Sequence, residues 1–354
     1  MGYDYLIVGL GLAGISFCEQ LENHGKTYKV ISDNSQISSV VAGGLYNPVI
    51  LKRFTLAWNG NDQLKIALPF YGQLEKKLQI KLDYKVPILK LFASIEEQNL
   101  WFEAADRPKL NKFLNTNIID NKNNNIDAPF GFGQVLQTGR IDTNKLVIGY
   151  QDFLKQKEHL ISESFDFDAI NLHGEYIKYK SIKARKLVFA TGFGIKFNPY
   201  FNYLPLNGTK GELLTIKAPY LKEPNIIKSS VFIIPLGGDL YRVGSTYERT
   251  DKSNTITEGG KKTLLHKLNS IIKCNYEIVH HAAGIRPTTA DRRPLVGRHP
   301  ELKNMYVLNG LGSRGVMIAP SVSKQLFDSI ENGEALPPEL DIARFSKRYI
   351  TKKS

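Results

Sequence analysis

Cysteine is nearly absent: the 354 residues hold only Cys18 and Cys274. Two thiols so far apart, without metal-ligand spacing, exclude a disulfide framework and a cysteine zinc site, and they suit a reducing cytoplasm. Histidine is scarce as well, at seven residues, and none has metal or triad spacing, so no metal centre is expected. Long apolar runs are missing. Residues 5–15 are apolar enough to imitate a signal-peptide core, but Asp4 stands in place of a basic leader and the run is dense in glycine. No other stretch approaches the roughly 18 apolar residues of a membrane span. The expectation is a soluble, cytoplasmic chain without membrane contact. A composition of 42% hydrophobic and 23% charged residues is that of an ordinary globular protein, and the length allows two domains.

What the chain has in excess is positive charge, a formal +13. A basic surface attracts nucleic acid or acidic lipid. Here the lysines are scattered along the length, which fits compositional drift as well as a binding face, and a nucleic-acid partner stays open.

The opening is a strand, a glycine turn and a helix. Residues 5–8 form an apolar run, and Ile15, Cys18 and Leu21 recur at helical spacing. Residues 28–31 resume a strand, completing the first half of a dinucleotide-binding βαβ unit. Helices are expected over residues 64–82, 95–104, 259–272 and 316–331, and a loop over 115–130. Strand-rich tracts are expected at 163–191 and 212–247, with short strands at 295–296 and 305–308. The pattern predicts an α/β fold with an α+β insertion: a Rossmann-like nucleotide-binding domain from residues 1–65, 139–200 and 285–354, and a smaller sheet-based substrate domain from 66–138 and 201–284.

The turn reads Gly9-Leu10-Gly11-Leu12-Ala13-Gly14, a G-x-G-x-x-G placed between strand and helix. Gly9 makes the tight turn, Gly11 leaves room for a pyrophosphate, and Gly14 packs helix on strand, while Leu12 and Ala13 open the helix whose free N–H groups favour negative charge. Asp33, 24 positions after Gly9, stands where a carboxylate holds a ribose hydroxyl. It also suits a plain turn ahead of Asn34.

The fingerprint alone does not separate NAD from FAD, and other segments bear on the choice. Gly43-Gly44-Leu45-Tyr46-Asn47-Pro48, Val188-Phe189-Ala190-Thr191-Gly192, Thr209-Lys210-Gly211-Glu212-Leu213 and Tyr241-Arg242-Val243-Gly244-Ser245-Thr246 follow in order. Near the C-terminus come Gly284-Ile285-Arg286-Pro287 and Gly310-Leu311-Gly312-Ser313-Arg314-Gly315-Val316-Met317. Taken together these resemble the D-amino-acid oxidase superfamily, with the pattern of glycine oxidase and its neighbours, over nearly the whole chain. The resemblance implies a glutathione-reductase-type FAD domain. FAD would be contacted by Gly9, Gly11, Leu12, Ala13, Gly14, Asp33, Gly43, Gly44, Leu45, Thr191, Gly192, Gly312, Ser313, Arg314, Gly315, Val316 and Met317. The sarcosine-oxidase branch ties its flavin to a cysteine near the position of Arg286. Neither cysteine here lies there, which implies noncovalent FAD.

The physics of the last segment stands without the family. A glycine-rich turn feeds a helix whose N-terminus favours the negative charge of a reduced flavin. Arg286 matches the arginine that holds the substrate carboxylate in glycine oxidase, a task suited to a guanidinium fork; a structural ion pair is the alternative. Arg314 lies one position after the family's arginine, which falls opposite Ser313, so it faces substrate or solvent. Phe232 replaces a carboxylate-binding tyrosine. His280 and His281 are read as structural, and Lys52-Arg53 stays undecided between substrate and solvent.

The resemblance implies an FAD-dependent enzyme that oxidises the C–N bond of a small amino acid or N-substituted glycine. Arg286 and Arg314 are its candidate catalytic residues, hydride passes to flavin N5, and oxygen or another acceptor takes the electrons. Two alternatives stand beside it. One is a tRNA-modifying flavoenzyme that removes a carboxymethyl group from a wobble-uridine side chain. The other is a flavin-binding protein without catalysis.

Overall fold

The computed structural model describes residues 2–353. Gly2–Val8 is the central strand of the first sheet and runs parallel to Tyr28–Ile31 on one side and Ile182–Phe189 on the other. Its apolar run does not alternate, because both of its faces are covered. Tyr5 and Ile7 pack with the helices Leu12–Asn23 and Gly315–Glu331, whereas Leu6 and Val8 pack with Phe189 and Phe201 on the other face. Leu160–Ile161 extends one edge of this sheet. On the other side Ile182–Phe189 carries the parallel strand Met305–Asn309 and the antiparallel hairpin Ile170–His173/Tyr176–Tyr179. The strands that feed glycine turns at residues 9, 192 and 310 are thus neighbours, and their turns meet at one end of the sheet.

The second sheet has eight strands, ordered Glu277–Arg286, Thr209–Lys217, Leu240–Gly244, Phe232–Gly237, Ile226–Lys228, Ile88–Leu91, Phe132–Val135 and Leu114–Ile119. Here the period of two is clear. Leu214, Ile216, Ile227, Ile233 and Val243 point to a core shared with Leu264 and Leu268 of the helix Glu258–Asn269. The residues between them, including Gly211, Leu213, Phe232, Ile234 and Gly244, face a cleft toward the first sheet.

One expectation is corrected, and two of the expected domain boundaries fall inside elements. The loop expected over 115–130 begins with the edge strand Leu114–Ile119; its exposed, polar alternation hides it from a hydrophobic count. The boundary expected at 65/66 falls inside the helix Gly60–Leu78. That helix packs against Gly315–Glu331, where the Tyr71 hydroxyl donates to the Val316 carbonyl at 2.9 Å. The boundary expected at 284/285 falls inside the strand Glu277–Arg286, which stays in the second sheet until Pro287 ends it. Among the described residues no helix is long and apolar enough to cross a membrane.

Candidate active site

A cleft of about 810 Å³ runs from the first glycine turn to the face of the second sheet. Gly9 sits at its floor with φ +100, and a Cβ there would stand 2.5 Å from the Ala190 carbonyl oxygen. Strand end and turn touch so closely that only glycine fits. The helix Leu12–Asn23 starts at Gly11 with no side-chain cap and no acid in its first turn. The helix Gly315–Glu331 likewise starts at Arg314 with no side-chain cap and no first-turn acid. Both N-termini open on the cleft, where Leu12, Ala13, Gly315 and Val316 line the wall. Two positive helix ends beside a glycine floor fit an anionic dinucleotide, although the Leu12 amide of the first already donates to the Ser39 hydroxyl at 3.2 Å. The Thr191 hydroxyl, on the same wall, is buried without a hydrogen-bond partner in the structure.

Gly11, Asp33, Gly43, Gly44, Leu45, Gly192, Gly312, Ser313 and Arg314 also line the cleft. Gly14 and Met317, also expected at the cofactor, are not among the lining residues. A Cβ on Gly14 would be 2.1 Å from the Gly9 carbonyl oxygen, so this glycine holds helix to turn from behind. Met317 is buried in the core under the helix it begins. Asp33 accepts from the Ser35 amide at 2.9 Å and the Ser164 hydroxyl at 2.7 Å. Partial burial works against its charge, yet these bonds hold the carboxyl below its ordinary range.

At the far end lies Arg286, the last residue of its strand. Its Nη2 donates to the Ser245 hydroxyl at 2.5 Å and, more weakly, to the Thr246 carbonyl at 3.5 Å. Nη1 is buried with no hydrogen-bond partner in the structure, and no carboxylate pairs with Arg286 among the described residues. Burial pushes this guanidinium below its ordinary value. Arg314 lines the cleft without an acid partner among the described residues, and burial followed by the nearby Arg292 lowers it too. Phe232 lies on the cleft wall.

Of the two adjacent histidines, only His281 points into the fold. His281 approaches the Glu212 carboxylate at 2.8 Å on the back of the second sheet, where Lys210 also contacts Asp251 at 2.5 Å. This buried cluster escaped sequence reasoning, although parity separates Lys210 and Glu212 from the cleft-facing Gly211 and Leu213. Lys52 lines the cleft, whereas Arg53 is exposed and does not. Sequence reasoning also missed Ser164, Gln36, Gln151 and Lys228 on the wall; they come from four separate segments, and no local motif marks them. No metal-binding group of His, Cys, Asp or Glu exists among the described residues.

A model of FAD dependent oxidoreductases matches residues 4–329. The chain belongs to this family. Relatives include glycine oxidase of Bacillus subtilis, 26% identical over 240 residues, covering 62% of this chain and 64% of that one. Glycine oxidase of Geobacillus kaustophilus is 30% identical over 148 residues, covering 40% of this chain and 38% of the relative. The chain thus spans between about two fifths and two thirds of these relatives. The tRNA 5-methylaminomethyl-2-thiouridine biosynthesis bifunctional protein of Legionella pneumophila is 23% identical, covering 98% of this chain and 57% of that protein. Among solved structures, glycine oxidase from Geobacillus kaustophilus shares the fold with a TM-score of 0.80 at 19% identity, covering 97% of each chain.

Proposed function

We propose that this oxidoreductase acts on the C–N bond of a small amino acid or N-substituted glycine. The observation that carries the reading is Arg286: a buried guanidinium in the cleft with no hydrogen-bond partner for Nη1 and no carboxylate paired with it among the described residues. Such a charge is costly without a counterion, and a substrate carboxylate supplies one with matching fork geometry.

In this reading Gly9 and Gly11, with the helix end beginning at Leu12 and Ala13, would hold the FAD pyrophosphate, and Asp33 would hold the adenosine ribose. Gly43, Gly44, Leu45, Thr191, Gly192 and the turn Gly312–Val316 would contact the rest of the cofactor. Bound FAD supplies a two-electron acceptor that takes hydride at N5. Arg286 fixes the substrate carboxylate and so aims one Cα–H, while Ser245 holds the guanidinium in place. With the amine neutral, the nitrogen lone pair forms the C=N bond as Cα loses hydride, so no side-chain base at Cα is needed. Water then adds to the imine, which breaks into a carbonyl acid and the released amine. Phe232 gives an apolar wall and offers no hydroxyl to the carboxylate. Oxygen or another acceptor completes the cycle.

A second reading takes the same chemistry to a carboxymethylaminomethyl group on a tRNA wobble uridine. It is supported by the likeness of the Legionella protein along 98% of this chain and by the net charge of +13. The non-catalytic alternative gives no reason for an unpaired buried arginine. Anaerobic mixing of the FAD-loaded protein with amino acids and N-alkylglycines tests the first reading. Bleaching of the oxidised-flavin absorbance supports it. A flavin that stays oxidised with every such compound but bleaches with a carboxymethylaminomethyl-bearing tRNA favours the second.

A further inference from the structure

Lys228 is a further cation on the cleft wall, beside Arg286, Arg314 and Lys52. It ends the strand Ile226–Lys228 and lies directly opposite Phe232, which in turn lies opposite Gly244, the residue before Ser245. Three neighbouring strands therefore set out, in one row, Lys228, the Phe232 ring and the backbone next to the hydroxyl that anchors Arg286. Strands are spaced about 4.8 Å apart, so the Lys228 and Ser245 backbones stand roughly 10 Å from each other.

The Lys228 ammonium has no carboxylate partner among the described residues. It stands 4.7 Å from the Phe232 ring centre and donates to the Ser229 carbonyl. Its cationic neighbour on the next strand, Lys90, is paired with Glu97 at 2.7 Å, so the acid whose charge also reaches Lys228 is already engaged by another cation. Burial, with Lys90 and Lys267 adding to it, pushes the ammonium down to about 8, which leaves it mostly charged at neutral pH. An unneutralised cation facing a cleft suits an anionic group brought by the ligand.

We propose that Lys228 is a specificity-determining residue that selects amine substrates with a second acid group, held at the end opposite the carboxylate on Arg286. The proposal rests on the reading of Arg286 as the carboxylate site. Such a substrate carries an acid group at each end of a short linear chain, with the nitrogen between them; a chain of six linear atoms serves as the first length to test. Nothing in the chemistry at Cα changes, so Lys228 acts on affinity.

The test uses two N-substituted glycines of equal length, N-(2-carboxyethyl)glycine and N-propylglycine, which differ chiefly by the second charge. Adipate and hexanoate, which have no amine to oxidise, serve as binding probes read from perturbation of the flavin spectrum. The FAD-loaded wild-type protein is expected to favour the diacid of each pair. Lys228→Met should weaken the diacids about 10- to 100-fold and leave N-propylglycine and hexanoate unchanged, while Lys228→Arg restores part of the preference. Equal losses for mono- and diacids, or no preference in the wild type, overturn the proposal. Adipate preference that disappears in Lys228→Met, without flavin reduction by either amine, supports the acid site while rejecting amine oxidation. Hexanoate that binds equally well to wild type and Arg286→Ala rejects the carboxylate site beneath both.

Discussion

The guanidinium of Arg286 lies across Gly211 of the neighbouring strand. A Cβ at residue 211 would stand 1.9 Å from Nη2 and 2.4 Å from Cζ. The absence of a side chain is thus what lets the arginine fold down over the sheet and reach Ser245. Gly211→Ala should push the guanidinium out of this groove while keeping its charge. The expected result is unchanged FAD content with at least about tenfold weaker binding of carboxylate ligands, because aim is lost and a strong two-pronged contact with it. Titration with an N-alkylglycine checks it. Normal affinity in the variant would show that the carboxylate is held elsewhere.

Arg286→Ala should leave the flavin spectrum and thermal stability nearly intact, since no internal carboxylate loses its partner. Anaerobic flavin reduction by a carboxylate-bearing amine should slow by about 30- to several-thousand-fold, the equivalent of roughly 2–5 kcal/mol for a buried charged contact. Arg286→Lys should recover only part, because a point charge does not reproduce the fork. An amine without the carboxylate is the control and should be almost indifferent. Equal losses for both amines, or a collapse in stability, would assign Arg286 to the scaffold.

The glycine turns and Arg286 were legible because each carries its reason locally: Gly9 has a strand before it, a helix after it and a φ that only glycine adopts readily. Gly14 and Met317 lie off the cleft lining, since a motif gives spacing but not side. The third glycine of the turn faces the strand, and the residue after Val316 faces the core. Lys228, Ser164 and Gln151 were invisible for a different reason. Lys228 reaches the cleft through strand pairing, and register is a property of the sheet rather than of any short string, while Gln151 comes from the helix Thr143–Gln156 and Ser164 from a loop. The same holds for the domain boundaries, which fell inside the helix Gly60–Leu78 and the strand Glu277–Arg286, elements that continue from one region into the other.

The dinucleotide cradle makes a prediction of its own. Gly11→Val should abolish FAD retention, for a Cβ at residue 11 already approaches the Ser39 hydroxyl to 3.0 Å and a branched side chain would fill the pyrophosphate space. Asp33→Ala should weaken FAD by roughly 1.5–3 kcal/mol, one charge-assisted bond. The wild-type protein should release its FAD into the supernatant on acid precipitation, since neither Cys18 nor Cys274 lines the cleft. Flavin content per chain, measured by absorbance after purification, separates these cases; a valine variant that retains FAD would move the pyrophosphate away from the turn.

Acid stability should depend on Glu331, at the end of the helix Gly315–Glu331. It accepts from the Tyr5 hydroxyl at 2.5 Å and from the ammonium groups of Lys26 and Lys186, with its side chain only 13% exposed. Burial opposes the charge, but the three donors together pull the carboxyl down to about 2. A folded-state value below the ordinary carboxylate range means that ionised Glu331 favours the native state. The contribution is fully present above the unfolded value near 4.5 and is lost as pH falls toward 2. Glu331→Gln should therefore lower stability by about 1–2 kcal/mol at pH 7, a figure reduced for screening by solvent. The difference between variant and wild type should shrink as the pH drops from 4.5 toward 2. Urea unfolding of both proteins at pH 7, 5, 4 and 3 measures it. A difference that stays constant across the series would mean that the three donors hold the glutamine as well as the carboxylate, and that charge contributes nothing at this helix end.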